Sequence, residues 1–600
     1  MSGPFRDLRA FLGALDREGD LVRIEAPVDP RLEAAEIHRR VIAAGGPALL
    51  FTRVGTSRFP VVTNLFGTRK RVEMAFGPRP RRLVEAAAAL PETLMPPSPG
   101  RLWHQRGLLA SLARVGTRTG GRAPVLETRA DPVDLGVLPV LTTWKEDGGP
   151  FLTLPLVYTE HPETGGPNLG IYRAQVYDAT RTGMHWQIGK GGGFHYAVAE
   201  AAGRPLPVNV LLGGPPALLL AAIAPLPENV PELLLASLLL GKRLGLVRNP
   251  AGPLPLVGAA EFALVGEVPP AERAPEGPFG DHYGYYSLRH DYPVFHCRAV
   301  FHRRDAVFPA TVVGKPRQED FYLGDFLQEL LSPVFPRVMP QVTDLWSYGE
   351  TGYHSLAAAV VKQRYKREAM AAAFRILGEG QLSLTKFLLV LDRPADLRDF
   401  PRVLEQVLER ADFRSDLYLF ANLSMDTLDY TGPAVNEGSK GVLLGVGEPV
   451  RSLPREFTGA PPAGFGEVRV FCGGCLVVGG PAAGREPDAA ARAAAHPAFA
   501  EWPLVVLVDD AAQAVRSPVN FLWTTFTRME PAADIHAASV DLVRGHAAFT
   551  PPVVIDARLK PGFPAELVCD PETAELVTRR WTEYFPGGME MGDSTRAHLD

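Results

Sequence analysis

The sequence predicts an α/β (α+β) protein, and three observations predict it. The first hundred residues alternate helical apolar spacing with short strand-like runs; β-rich runs separated by Gly and Pro fill about 124 to 330; helix and strand alternate again beyond 330. The boundaries read as 1–115 for an N-terminal α/β domain, 116–330 for a domain built on a barrel-like sheet, 331–480 for a C-terminal α/β domain and 481–600 for an α/β extension. Pro-rich text at 91–99 and a Gly/Arg-rich stretch at 115–123 mark the first of these. With 46% hydrophobic and 22% charged side chains, the 600 residues allow several cores and exclude collagen, long disorder and a disulfide scaffold.

Phe5, Leu8, Leu12 and Leu15 stand at helical spacing within 5–18, and Gly19 is the stop before a strand over Leu21–Glu25. Asp29 reads as the N-cap of a helix over 31–43, followed by strands at Ala48–Phe51 and Val61–Thr63. The β-rich part offers Phe151–Thr159, Leu169–Tyr177, Val208–Leu212 and Pro293–Phe301. The greasiest stretch, 218–240, is broken by Pro225, Pro227, Glu228, Pro231 and Glu232, which excludes a bilayer span. Beyond 330 the spacing predicts one amphipathic helix over 354–377 and a buried strand Phe387–Leu391. Residues 386–421 are echoed by 503–538, each strand, acidic turn, helix, strand; the two are a duplicated unit or two βαβ units alike in composition. Between them, 479–497 reads as a linker or weak helix.

A net charge of −5 gives no basic field for a polyanion, so nucleic acid is not an expected partner. The N-terminus has acids and an amphipathic period where a signal peptide has a basic then an apolar region, and four Cys at 297, 472, 475 and 569 fit a reducing compartment; a cytoplasmic protein is expected.

The densest chemistry is Asn168-Leu-Gly-Ile-Tyr-Arg173. On a regular strand Asn168 and Arg173 point to opposite faces, and a bulge at Gly170 would bring both to one pocket, with Arg173 suited to grip a carboxylate through two parallel bonds. Glu276 and Asp281 stand five apart around a Pro/Gly turn in EGPFGDHYGYY, a spacing at which unlike environments leave one acid ionised to hold an Arg and the other protonated to give a proton. Gly189 to Gly193, with Lys190 among them, reads as a phosphate cradle, although Phe194 breaks GxGxxG and no Walker loop is present. Cys472-Gly-Gly-Cys475 reads as a hairpin turn, since no second ligand pair completes a zinc site. His185, His195, His282 and His296 read as structural.

Together these segments resemble the UbiD-like decarboxylases, nearly end to end: FRDLRAFLGALDREGDLVRIEAPVDP, NLGIYR, PLPENVPE with Glu232, APEGPFGDHYGYY, VVKQRYKREAM, LTKFLLVLD with Lys386, and FLWTTFTRMEPAADIH. The resemblance implies a central split β-barrel that binds prenylated FMN and a C-terminal α/β region serving oligomerisation. It implies loss of carbon dioxide from an aromatic or α,β-unsaturated acid, for which a modified flavin is the electron sink that no ordinary side chain provides. By that resemblance Arg173 orients the substrate carboxylate, Glu276 holds Arg173, and Asp281 delivers the proton. Asn168 and Glu232 match two ligands of a divalent metal, manganese or magnesium; Gly170, Ile171, Tyr172 and Arg173 contact the flavin ring; Gln187, Lys190 and Lys386 complete the cofactor contacts.

One departure matters: the family's third metal ligand is a His about twenty residues after the Asn, where this chain has Gly189. Lys190 touching the phosphate is the expected replacement, with His185 or His195 as substitute ligands. The extra length from about 480 resembles longer bacterial members linked to menaquinone biosynthesis, which points to a dihydroxynaphthoate-type acid. A flavin prenyltransferase as cofactor supplier and a homo-oligomer are further expectations. The alternatives are a conventional FMN oxidoreductase and a non-catalytic cofactor carrier.

Overall fold

Asp7 opens the first helix: its carboxylate accepts the Ala10 N–H at 2.8 Å, and Leu8–Arg17 then buries Leu8, Phe11, Leu12 and Leu15. In this computed structural model the described residues are 3–96, 98–104, 106–107, 114–186, 191–226, 230–315, 317–365 and 367–594. They form two compact units, one running to Leu330 and taking up the chain again from Glu566, the other spanning Leu331–Ala565.

In the first unit a small sheet joins Leu21–Ile24, Ala48–Phe51, Val61–Thr63 and Phe308–Pro309. Asp29 does not cap the next helix. Its carboxylate accepts from Arg31 N–H at 2.7 Å in a local turn, while Glu33–Ala43 starts at Leu32 with no side-chain cap. The larger sheet has eight strands, in the order Arg181–Gly183, His290–His302, Phe262–Val268, Leu206–Leu212, Leu156–Glu160, Pro167–Ile171, with Arg273–Glu276 and Thr128–Arg129 also paired to His290–His302. Its alternation is plain in Leu206–Leu212: Leu206, Val208, Val210 and Leu212 enter one core and Leu211 the other, so both faces are covered.

No bulge occurs at Gly170. Pro167–Ile171 keeps an unbroken antiparallel register with Leu156–Glu160, Gly170 opposite Val157, and Arg173 lies in the turn that follows. The glycine is needed for another reason, since a Cβ there would fall 2.5 Å from the Tyr172 ring.

The second unit holds two five-stranded sheets of one topology. The first runs Val342–Ser347, Leu356–Val361, Phe387–Leu391, Glu437–Gly445, Leu417–Ser424, and the second Val468–Cys472, Cys475–Gly479, Leu504–Val508, His546–Asp556, Ile535–Val543. In each, the pairings run antiparallel, parallel, parallel, antiparallel. Details repeat as well: Asp416 accepts from Asp412 N–H at 2.9 Å and Asp534 from Glu530 N–H at 2.7 Å. Asp392 accepts from Gly447 N–H and Asp509 from Leu559 N–H, both at 2.9 Å. Such agreement in hydrogen bonds favours duplication over likeness of composition.

The helix expected over 354–377 is two elements, the strand Leu356–Val361 and the helix Glu368–Leu377. A strand paired on both sides and covered on both faces is apolar throughout, so it shows no alternation for a period test to find. Gly473 and Gly474 turn a hairpin in which Cys472 pairs with Cys475, and all four cysteines are free thiols. Among the described residues no helix is long and apolar enough to cross a membrane.

Candidate functional site

Arg173 leaves the sheet in the turn between Pro167–Ile171 and Ala174–Gln175, and every arm of its buried guanidinium is engaged. Nε donates to Glu276 Oε1 at 3.1 Å, Nη1 to Asp281 Oδ2, and Nη2 to Ser287 Oγ at 3.2 Å, while the plane lies 4.6 Å over the Phe279 ring. The cation and both acids are thus brought together from residues more than a hundred positions apart.

Glu276 ends the strand Arg273–Glu276, opposite His290. Its Oε1 also accepts from His185 Nδ1 at 2.7 Å; as a carboxylate can only accept, that ring nitrogen carries the proton. Burial and the neighbouring Arg173 push His185 below its usual range, so the imidazole is neutral. Burial works to raise Glu276, yet His185 and Arg173 leave it below the ordinary carboxylate range. Asp281 follows the same balance: burial opposes ionisation, but Arg173, the His282 ring at 2.6 Å and the His282 N–H at 2.7 Å hold it well below that range. The two acids therefore do not divide into one ionised and one protonated; both are anions on the same cation. Asp320 is a raised carboxyl nearby, which burial lifts to about 6 against the pull of His282.

A second cluster surrounds Asn168. Tyr172 OH accepts from Gly192 N–H at 3.2 Å, and Glu232 accepts from Leu169 N–H at 3.0 Å. A Cβ on Gly191 would fall 2.0 Å from Asn168 Oδ1, so the helix Gly191–Ala201 starts against that amide only because residue 191 has no side chain. Ile171 closes the strand opposite Leu156. Gln187 and Lys190, with Gly189, lie outside the described residues. Lys386 belongs to the other compact unit, where it is buried and paired with Asp429 at 2.7 Å.

Four buried polar atoms of these clusters have no hydrogen-bond partner among the described residues: Asn168 Nδ2, Trp186 Nε1, His185 Nε2 and Glu276 Oε2. Orphans of this kind cost free energy unless a polar bound group satisfies them: Asn168 Nδ2 and Trp186 Nε1 donate and fit the acceptors of a flavin, whereas Glu276 Oε2 and the unprotonated Nε2 of neutral His185 accept and call for a donor. The metal fits less well. Asn168 and Glu232 offer one amide oxygen and one carboxylate that burial raises, and among the described residues no three of His, Cys, Asp and Glu gather to hold an ion. His185 spends a ring nitrogen on Glu276, and His195 bonds Thr159 at 2.9 Å.

Three family models match the chain: the N-terminal domain of 3-octaprenyl-4-hydroxybenzoate carboxy-lyase over 12–90, its Rift-related domain over 117–316 and its C-terminal domain over 321–445. The chain belongs to the UbiD family of carboxy-lyases. A protein of Chlamydia trachomatis, described as uncharacterized, is 51% identical over 96% of this chain and 100% of its own length. One of Chlamydia pneumoniae, described as a subunit of 4-hydroxybenzoate decarboxylase, is 49% identical over 96% of this chain and 98% of its own. The UbiD-class enzyme HmfF of Pelotomaculum thermopropionicum, solved with FMN, superposes with a TM-score of 0.61 at 26% identity, over 76% of this chain and 98% of its own.

Membership makes this UbiD chain a carboxy-lyase. Sequence reasoning named the cation and both acids that the structure brings together, but missed Ser287, Phe279 and Asp320; it read His282 as structural and His185 as structural or as a substitute metal ligand, not as the partner of Glu276. The two histidines were legible: each lies in a segment with a proposed site residue, and a buried carboxylate needs a donor.

Proposed function

We propose that this chain carries out reversible, non-oxidative decarboxylation of an aromatic or α,β-unsaturated carboxylic acid with prenylated FMN. The observation that carries the reading is the buried Arg173 guanidinium shared by Glu276, Asp281 and Ser287. When bound, prenylated FMN supplies the electron sink for the bond to carbon dioxide. Gly170, Ile171 and Tyr172 place backbone and ring beside it, and Asn168 gives its free amide N–H.

Arg173 receives the substrate carboxylate on its forked N–H groups, and Glu276, backed by neutral His185, fixes the plane of the fork. A substrate carboxylate on Nη1 takes Asp281's counter-charge away. The Asp281 carboxyl then rises toward protonation, with His282 on Oδ1 as the donor in contact. As the carbon–carboxyl bond breaks, the electron pair stays with the carbon, and the Asp281 proton forms the new C–H bond.

Lys190 supplies the positive charge at the flavin phosphate in place of a full metal donor set; flavin is then expected to survive chelation of divalent ions and to be lost in Lys190→Met. Within the acid class, the relative described as part of a 4-hydroxybenzoate decarboxylase favours a hydroxylated benzoate. The resemblance of the extra length from about 480 to longer bacterial members favours a dihydroxynaphthoate-type acid of menaquinone biosynthesis. The holoenzyme, produced with a flavin prenyltransferase as cofactor supplier and expected as a homo-oligomer in the cytoplasm, is tested by exchange of labelled bicarbonate into each acid. Exchange into neither, with prenylated FMN bound, overturns the reading.

A further inference from the structure

The loop that carries Asp281 is closed by the far end of the chain. Asp281 N–H donates to Tyr285 O at 3.1 Å, Gly284 N–H to Asp281 O at 2.9 Å, and Gly280 bridges Tyr286, so 280–286 is a tight hairpin. Glu566 pairs antiparallel with Tyr285, and Leu567 N–H donates to Gly284 O at 3.0 Å, adding a short third strand to its outer edge. The side chains of that strand are anchored too. Glu566 accepts from the buried ammonium of Lys315, and Leu567, 1% exposed, packs with Trp144, Tyr286 and Cys569.

Trp144 carries the contact inward. Its Nε1–H donates to Val313 O at 2.9 Å, and its ring lies so close to Gly280 that a Cβ there would fall 2.0 Å from Cδ1. Asp147 holds the same corner, accepting from Trp144 N–H at 2.9 Å and Gly280 N–H at 2.8 Å. Beyond Leu567 the tail is fastened to the helix Glu33–Ala43: Arg40 donates to Ala574 O at 2.8 Å, and Arg580 and Tyr584 both bond Glu33. The last family-model residue is 445, so this tail lies beyond the family models.

We propose that the C-terminal tail is a strap that sets the position of Asp281, with Leu567 and Glu566 as positioning residues of the decarboxylase site. The proposal rests on the function assigned above. A proton donor must meet its carbon within a fraction of an ångström, and a hairpin whose outer edge pairs with a tail strand transmits slack in that strand to Asp281.

The test uses the full flavin-loaded chain with Leu567→Ala, Leu567→Met and Glu566→Gln, and with Leu15→Ala as a core deletion far from the loop. Amide hydrogen exchange over 279–287, which needs no substrate, is expected to quicken in Leu567→Ala, to return toward the parent in Leu567→Met, and to stay unchanged over 206–212. Turnover is expected to fall about tenfold or more in Leu567→Ala, with KM within about twofold, and to recover in Leu567→Met. Glu566→Gln keeps the backbone pairing and loses only the charge, so it gives a smaller fall and covers the case in which Leu567→Ala does not fold. Leu15→Ala keeps parent turnover. Unchanged exchange over 279–287 in Leu567→Ala, or quickened exchange with parent turnover, overturns the strap. A parent that turns over no acid overturns the decarboxylase reading instead, and the exchange over 279–287 then decides for or against the strap by itself.

Discussion

At Arg173 three acceptors meet one cation, and each acceptor does something different with it. Glu276 fixes the guanidinium plane, Ser287 takes an outer N–H, and Asp281 holds the N–H that passes to the substrate carboxylate in the proposed reaction. Arg173→Ala and Asp281→Asn are therefore expected to lower turnover by about a thousandfold or more while the flavin spectrum of the purified protein stays that of the parent. Flavin lost together with activity would make Arg173 a cofactor anchor and no more. Asp320 gives a prediction of opposite sign in stability. Its folded carboxyl titrates near 6, above the unfolded value, so at neutral pH the fold must keep a buried anion. That cost fades as pH falls through 6 and is gone only well below the unfolded value near 4, where both states are protonated. Asp320→Asn is expected to raise stability at pH 7 by about 1–3 kcal/mol and to leave it nearly unchanged at about pH 3, measured by urea denaturation at both. For Glu276 and Asp281 the sign reverses, because both carboxyls are depressed: the stability they lend is present above the unfolded pKa and drains away as pH falls through the folded one.

Elements differ in how far they could be read in advance, and the reason is the period of their apolar residues. Leu8–Arg17, Ala48–Phe51, Val61–Thr63 and Phe387–Leu391 have one clear period or a short bounded run, and their limits agree with the sequence reading within three residues. Leu356–Val361 has none, because a strand paired on both sides and covered on both faces is greasy throughout, and the helical reading took it over. The site divides the same way. Arg173 and the two acids were legible as residue types that need each other, but the Arg173 turn was not, since it follows a regular strand and owes nothing to a bulge. The tail strand at 566–567 left no trace: two residues have no periodicity, and their partner lies hundreds of positions away. Glycine makes two of these elements testable. Gly280→Ala drives a methyl into Trp144 and is expected to cut turnover with flavin retained. Gly191→Ala drives one into Asn168 Oδ1 and is expected to cost flavin retention first, read as the ratio of flavin to protein absorbance. The same outcome in both would merge two roles proposed as separate, a proton-positioning corner and a cofactor-holding one.

Across the second unit the two repeats share one core, which decides how it unfolds. Phe400, at the start of a helix in the first repeat, has ring neighbours from the second: Phe521 and Phe526 at 6.0 Å and Phe471 at 6.2 Å. Phe526 in turn meets Phe387 of the first sheet at 6.1 Å, and Val477, Val506 and Val553 of the second sheet enter the cluster that holds Leu389 and Leu443 of the first. Neither sheet can bury that face alone, so opening either exposes both. Phe400→Ala is thus expected to cost about 3–5 kcal/mol and to lower hydrogen-exchange protection equally over 387–391 and 504–508, although only the first lies in its own repeat. Loss confined to 387–391 would show two separate folding units joined by a linker, and the repeated topology would then be a matter of ancestry alone.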